Sequence, residues 1–291
     1  MSIKTFISLL IIVTFFTGCG GPKVLETHKS SAEKAENLGN YQEALIAWKL
    51  YINQNPVEEI EGSGFANAAK TAFKVGENDL AVNWFDQARY KEYSDFEMYS
   101  ALAKIYQSKS NISKELNALE YISENFSDNS SEIDNRLFNV YFEIGLNEKA
   151  VQVWGRLDNE LKNVLFNLSN YLSIQMDLEN SNVCDSVSLA LLEKNPEHFD
   201  ALDWNAKKFY WLGENRYQSE LAKYEKNKTN KQYKILLKEL DLATTDLKKS
   251  LVYFEKLWKI KQGKEFASYF ASIYARFGDE KKSKSYQKYM K

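Results

Sequence analysis

The residues that could do chemistry in this chain are few, and they form no recognisable catalytic group. Two cysteines, Cys19 and Cys184, could supply a thiolate, and two histidines, His28 and His198, could move a proton or bind a metal. Neither histidine has a cysteine or second histidine at metal-ligand spacing. The phosphate-binding, serine-nucleophile and zinc-protease motifs are also missing. We therefore expect no enzyme activity, no catalytic residue, no metal and no cofactor.

Cys19 stands apart because its surroundings point to modification rather than catalysis. Lys4 precedes an uncharged apolar run at residues 6–16, and the small residues Thr17 and Gly18 lead into Cys19. The run is too short for a bilayer core, which needs about 20 helical residues. It fits the apolar part of a secretory signal peptide, and an incidental cysteine after such a peptide is the alternative reading.

Residues 16–19, Phe-Thr-Gly-Cys, resemble the lipobox of bacterial lipoproteins, in which an aliphatic residue, a small residue and Gly or Ala precede the cysteine. The resemblance implies that residues 1–18 are a signal peptide, that Cys19 is lipidated, and that residues 19–27 tether a domain of residues 28–291. Acyl chains of this kind anchor a protein stably to a membrane. Because no acidic run follows the cysteine, the resemblance favours an outer membrane location facing the periplasm, with surface display as the other arrangement.

The composition narrows the possible partners and the forces that hold the fold. A net charge of −2 argues against general nucleic-acid binding. Once Cys19 is modified, Cys184 has no partner for an internal disulfide, so the fold must depend on packing and the thiol should be buried. The chain has six tryptophans, and we expect packing to be the main role of each.

A recurring spacing of glycine, alanine and aromatic residues runs along the chain. A glycine is followed by alanine after five residues and by tryptophan or phenylalanine after nine, in segments 39–48, 76–85 and 145–154. Small residues let two helices approach closely, and glycine permits the backbone angles of a tight turn. The spacing therefore predicts tandem helix–turn–helix units.

This spacing resembles the tetratricopeptide repeat, a helix–turn–helix unit of about 34 residues. The resemblance implies an all-α, right-handed α-solenoid of about eight stacked helix pairs. Ser110 and Glu179 stand at the turn position of the third and fifth units, and the seventh lacks a turn glycine, which also allows a longer helix pair there. The predicted units are residues 25–58, 62–95, 96–129, 131–164, 165–198, 199–229, 230–263 and 264–291.

In tetratricopeptide folds the first helix of each pair lines a concave surface, and the resemblance transfers this role to four positions per unit. In the middle units these positions carry amides and apolar side chains, which can bind an extended backbone and its side chains. In the seventh unit these positions carry lysines at helical spacing. The lysines form either a solvated helix face or a binding surface for an acidic segment or a lipid headgroup. The predicted partner-binding residues are Asn135, Asn139, Phe142, Phe166, Met176, Tyr210, Lys231, Lys234 and Lys238.

Two functions remain open on these grounds. The first is a non-catalytic envelope lipoprotein that acts as a protein–protein interaction scaffold, binds another envelope protein or an extended peptide segment, and contacts the membrane through its lipid. The alternative is a ligand-capture lipoprotein for glycans or small molecules beside an outer-membrane transporter, which the richness in Tyr and Trp would fit.

Overall fold

The structure, a computed structural model, describes the backbone of residues 21–126 and 131–290, and side chains from residue 27 onward within those ranges. The apolar run and Cys19 lie outside the described residues, so the signal peptide and the lipidation site stay predictions. The described residues form helices and no strand. No helix among them combines the length and apolar character needed to cross a membrane.

The chain divides into two compact units, residues 1–127 and residues 128–291. In unit 1, three helix pairs follow one another, and the second helix of one pair packs on the first helix of the next. Trp48 and Phe85, at the predicted aromatic positions, are fully buried. The helices of unit 1 are α1 (Gly21–Asn37), α2 (Tyr41–Asn53), α3 (Gly62–Lys74), α4 (Asn78–Tyr90), α5 (Phe96–Ser108) and α6 (Ile112–Asn125).

Unit 2 continues the same arrangement of tandem pairs, with one short extra helix and one long pair. The all-α fold of stacked helix pairs that the sequence predicts is thereby confirmed for the described residues. The helices of unit 2 are α7 (Ser131–Glu143), α8 (Asn147–Arg156), α9 (Asn159–Lys162), α10 (Leu165–Asp177), α11 (Ser181–Lys194), α12 (Phe199–Lys226), α13 (Asn230–Ile260), α14 (Lys264–Arg276) and α15 (Glu280–Gln287).

The turn inside each short pair contains one residue in the left-handed backbone region. Four of these residues are glycines, at positions 39, 76, 145 and 278. Ser110 (φ 53°) and Glu179 (φ 57°) occupy the same place in the turns of α5/α6 and α10/α11. The predicted turn positions are therefore confirmed, including the two at which a side chain replaces the favoured glycine.

The prediction of two separate helix pairs at residues 199–229 and 230–263 is wrong. Helix α12 has 28 residues and α13 has 31, and the two pack together as one long hairpin. The physical reason lies at Gly213, which sits at the contact between these helices instead of in a turn. A Cβ atom there would lie 2.8 Å from Leu247 Cγ and 2.9 Å from the Ala243 carbonyl oxygen. The described residues therefore contain seven helix pairs rather than eight.

Unit 2 has two buried clusters on either side of α12. One lies among α10, α11 and α12 and includes Leu172, Leu191 and Cys184. The other lies among α12, α13 and α14 and includes Phe254 and Phe270. Cys184 is fully buried, as predicted, and this burial raises the pKa of its thiol.

Candidate functional site

A cavity of about 400 Å³ lies in unit 2, where α10, α11 and α12 meet. Its volume is within the range of small-molecule and side-chain binding pockets. On α12 the lining residues fall at positions 203, 204, 207, 208 and 211, a spacing that puts them on one helical face. Trp204 and Trp211 from α12 and Met176 from α10 supply its apolar walls.

The two tryptophans of the cavity differ in how firmly they are held. Trp204 is half-buried, and its indole N–H donates a hydrogen bond to Asp185 Oδ1 at 2.9 Å. Trp211 is 51 % exposed and makes an edge contact with the Tyr210 ring, at 5.0 Å between centroids. One fixed indole and one open indole therefore line the same cavity. Contiguous exposed apolar surface rimmed by polar residues is a feature of binding sites, and tryptophan is enriched at interfaces.

The charged groups around the cavity are largely paired with one another. Lys208 Nζ lies 2.6 Å from Asp185 Oδ2, and Lys207 Nζ lies 2.6 Å from Asp203 Oδ2. The other carboxylate oxygen of Asp203 is buried and has no hydrogen-bond partner among the described residues. A buried acceptor without a hydrogen bond is energetically unfavourable, so a hydrogen-bond donor that reached this oxygen would be stabilising.

The predicted amides of α7 lie in a closed network rather than at an open surface. Asn139 is 7 % exposed, and its Oδ1 accepts a hydrogen bond from Asn170 Nδ2 at 2.8 Å. Its Nδ2 donates to the Asn135 carbonyl oxygen at 2.9 Å and to Asn167 Oδ1 at 3.3 Å. Asn167 Nδ2 in turn donates to Asn135 Oδ1 at 2.6 Å. These four asparagines join α7 to α10, so Asn139 has no free amide group to offer a partner.

The other predicted residues on α7 to α12 separate into different environments. Phe142 is half-buried on α7, and Phe166 is 62 % exposed near the start of α10. Met176 lines the cavity. Tyr210 is buried, and its hydroxyl lies 2.9 Å from Ser272 Oγ on α14, so it packs away from the cavity.

The predicted lysines lie on the first half of α13, away from the cavity. Lys231, Lys234 and Lys238 are all exposed and have no ion pair among the residues that the structure describes. Helix α12 ends beside these lysines at Lys226, which is fifteen residues beyond Trp211, or roughly 22 Å along the helix. The structure therefore does not bring these lysines together with Met176 in one site.

The sequence analysis did not include Trp204 or Trp211 among the predicted binding residues. Packing was the expected main role of all six tryptophans, but Trp211 is half exposed and lines the cavity. Trp204 and Trp211 are seven residues apart, a spacing that places them on one helical face. This spacing is visible within the first helix of the predicted unit 199–229, but it does not show that the face is open.

A second cavity, of about 340 Å³, lies among α4, α5 and α6 in unit 1. Its aromatic faces are already occupied, because the rings of Tyr99 and Tyr121 stack on each other at 3.8 Å. Its arginine, Arg89, pairs with Asp86. Of these two, the cavity among α10, α11 and α12 is therefore the better candidate for a binding site.

The histidine of unit 2 has a structural role. His198 precedes α12, where its Nδ1 accepts a hydrogen bond from the Ala201 amide at 3.4 Å. Its Nε2 lies 3.2 Å from Ser169 Oγ. Within the described ranges, no group of three His, Cys, Asp or Glu side chains is arranged to hold a metal ion.

Comparisons with known proteins give only distant structural likenesses. No protein-family model matches the chain, and no curated protein matches it. A tetratricopeptide repeat protein from Parabacteroides merdae is 11 % identical, with a TM-score of 0.45, over 92 % of this chain and 93 % of that one. The MamA protein is 15 % identical, with a TM-score of 0.45, over 60 % of this chain and 93 % of that one. The tetratricopeptide domain of P58(IPK) is 10 % identical, with a TM-score of 0.35, over 91 % of this chain and 92 % of that one. At these TM-scores no argument about function follows.

Proposed function

We propose that the protein is a non-catalytic scaffold that binds an apolar segment of a protein partner in the cavity of unit 2. The observation that carries this proposal is the half-exposed Trp211 beside Trp204 and Met176. Tryptophan is among the residues that contribute most to binding at protein interfaces, because it buries a large rigid surface. A segment that inserts an aliphatic or aromatic side chain between the two indoles would cover this surface.

The pairing of charges around the cavity favours an apolar segment over a glycan. Recognition of a sugar needs several free polar groups that converge on its hydroxyls. Here the Asp185 carboxylate already bonds Trp204 and Lys208, and Asp203 bonds Lys207. The second oxygen of Asp203 is buried, so it offers no open group to a sugar hydroxyl, and Ser181 is the one other polar side chain of the lining.

A location in the bacterial cell envelope is part of the same proposal and has a different basis. It depends on Lys4, the apolar run at residues 6–16 and the cysteine at position 19, in that order along the chain. A protein tethered by lipids at Cys19 would hold its helix pairs close to the membrane, where an envelope protein could reach them. We place it at the outer membrane, facing the periplasm.

The binding proposal can be tested with a library of random peptides displayed on phage and selected on residues 21–291. We expect selected peptides to share an aromatic or aliphatic residue and to bind with affinity that falls at least tenfold in Trp211→Ser, about the loss of one buried anchor. Leu189→Ser is the matched control, since Leu189 is 50 % exposed on α11 and does not line the cavity.

Two outcomes would contradict this assignment of the site. One is selection of peptides that bind wild type and Trp211→Ser equally. The other is loss of binding in Phe166→Ser but not in Trp211→Ser, which would move the site to the start of α10. Sugars tested by calorimetry provide the rival result, because glycan binding without peptide binding would favour ligand capture.

The anchor can be tested separately in cells. In Cys19→Ser, the protein should leave the membrane fraction after a wash at about 0.5 M salt, because the cysteine thiol is the group that carries the lipid and salt screens any remaining charge attraction. Membrane association that persists in this variant after the salt wash, with the rest of the chain intact, would contradict lipidation at Cys19.

A further inference from the structure

The outer end of the long hairpin α12/α13 extends beyond the contacts that this hairpin makes with α14. Arg276 of α14 bonds the Glu214 carboxylate at 2.9 Å and lies 4.0 Å from the centre of the Tyr217 ring. Past Tyr217, among the described residues, the side-chain contacts of α12 stay within the hairpin, such as Tyr224 with Tyr233 at 5.6 Å. The nine residues from 218 to 226 extend α12 by roughly 14 Å. We call residues 221–238 the hairpin tip.

The hairpin tip concentrates positive charge in a chain that is negative overall. It contains six lysines and one glutamate, a net charge of +5, whereas the whole chain has −2. Of the acids that border the tip, Glu239 pairs with Arg216 at 2.6 Å, and Glu220 pairs with the tip's Lys223 at 2.5 Å, which leaves five lysines and one glutamate in the tip outside that pair. Lys231, Lys234 and Lys238 are exposed, lie on one face of α13 and make no ion pair in the described part of the chain. Such a local field attracts an anionic surface over about a Debye length.

The hairpin tip also exposes apolar and aromatic side chains beside these lysines. Tyr233 is 47 % exposed, Leu237 is 50 % exposed and Ile235 is 40 % exposed. Tyr233 and Leu237 are four residues apart and therefore share a helix face. Lysines together with exposed tyrosine and aliphatic side chains are the combination found where proteins enter the headgroup region of a bilayer.

We propose that the hairpin tip binds an anionic phospholipid surface, as a contact independent of the partner cavity. An anionic membrane fits better than an acidic peptide because the tip is the convex end of two helices, and its apolar side chains flank the lysines instead of walling a groove. The lysines bind phosphate headgroups while Tyr233 and Leu237 enter the interface between headgroups and acyl chains. This contact would hold unit 2 at a membrane surface.

The test uses residues 21–291, which include every described residue and omit the apolar run that would itself bind lipid. The protein is floated with vesicles of equal parts phosphatidylglycerol and phosphatidylcholine, and with vesicles of phosphatidylcholine alone. We expect binding to the anionic vesicles only, and its loss when salt is raised from about 0.1 M to about 0.5 M. The triple variant Lys231→Glu, Lys234→Glu, Lys238→Glu should lower the partition coefficient by about 100-fold or more, from the attraction that each lysine contributes.

Matched variants distinguish vesicle binding by the hairpin tip from a nonspecific effect of the protein's net charge. Lys248→Glu, Lys259→Glu, Lys264→Glu makes the same change in net charge at three exposed lysines elsewhere on unit 2. It should leave the partition coefficient within a few fold. Tyr233→Ser, Leu237→Ser should lower it by about tenfold while keeping the lysines. Circular dichroism checks that each variant keeps its helix content.

Three results would overturn the proposal. They are equal loss of vesicle binding in the tip variant and the control variant, equal binding of wild type to both kinds of vesicle, and binding to polyglutamate with no binding to vesicles. The last of these would assign the tip to an acidic protein segment. Peptide selection on the cavity is a separate measurement, so failure of one proposal does not imply failure of the other.

Discussion

The six short helix pairs among the described residues and the long pair α12/α13 use glycine in different ways. In four short pairs a glycine supplies the left-handed residue of the turn, and a Cβ at any of these four would meet no atom within 4 Å. In the long pair, Gly213 lies inside a helix and lets α12 approach the backbone of α13. The first use ends a helix after about four turns, whereas the second allows two longer helices to pack along their length.

The short pairs and the long pair also differ in which side chains they expose to solvent. At the predicted aromatic positions of the short pairs, Trp48 and Phe85 are fully buried and Trp154 is partly buried. In the long pair, the half-exposed Trp211 lines the cavity near the base and the lysines occupy the tip. The pair that departs from the repeat length therefore contributes to both candidate binding surfaces, and shares the cavity with the short pair α10/α11. Four predictions test this contrast, in order of decreasing effect.

The largest effect is expected where the long helices touch. Gly213→Val would force side-chain carbons into space within 3 Å of Leu247 and Ala243, and should lower the free energy of unfolding by about 3 kcal/mol. Gly155→Val is the control, because Gly155 lies in α8 of a short pair with no atom within 4 Å of the added Cβ. It should change stability by less than about 0.5 kcal/mol. Urea titration measures both, and equal effects would contradict close packing at Gly213.

A smaller effect is expected at the ion pair that joins the long hairpin to α14. The hydrogen bond from Arg276 holds the pKa of the Glu214 carboxyl below its usual value. Because the folded pKa is the lower one, the stabilisation is complete above the unfolded pKa of about 4.3 and is lost as pH falls through the folded pKa. Glu214→Gln should therefore cost about 2 kcal/mol at pH 7, and the gap from wild type should close on acidification. A gap that is constant down to pH 3 would contradict this role.

The next effect concerns the turns of the short pairs. Glu179 holds a left-handed conformation, with φ of 57°, where four other turns have glycine. Glu179→Gly should raise the free energy of unfolding by about 1 kcal/mol by relieving this strain. The reciprocal change Gly145→Ala, in the preceding pair, should lower it by about the same amount. Thermal or urea unfolding checks both signs, and a loss of stability in Glu179→Gly would refute the strain at this turn.

The smallest effect is expected at an exposed ion pair of the last short pair. Lys284 Nζ lies 3.0 Å from Glu280 Oε2, but the two side chains are 71 % and 82 % exposed. Lys284→Ala should change the free energy of unfolding by less than about 0.5 kcal/mol, since water and salt screen such pairs. If Lys284→Ala lowered the free energy of unfolding as much as Glu214→Gln, solvent exposure would not explain the difference expected between these two ion pairs.

Local sequence signals predicted the short pairs well. The glycine, alanine and aromatic spacing placed the turns at Gly39, Gly76, Gly145 and Gly278, because backbone conformation and close helix packing there depend on nearby residues. The long pair was divided in error because the repeat length of about 34 residues was continued through residues 199–263, where the helices have 28 and 31 residues. The contact of Gly213 with Ala243, which joins these helices, is between residues distant in sequence, so the local spacing does not indicate it.

The candidate site was less predictable for a related reason. Met176 was predicted as a binding residue and lines the cavity, yet Asn139, predicted by the same rule, is enclosed by Asn167 and Asn170. Residue type shows that an amide can bind a partner, but it does not show whether a neighbouring helix already satisfies it. The exposure of Trp211 likewise depends on how α10, α11 and α12 meet.

The central claim is that a partner lies against Trp211, and photo-cross-linking in living cells tests it most directly. A photoreactive benzoyl-phenylalanine placed at position 211 should give a discrete cross-linked adduct after irradiation, because the open indole face would contact the partner. The same residue placed at position 189, equally exposed on α11, should give none. An adduct at position 189 with none at position 211, or no adduct at either, would contradict the account.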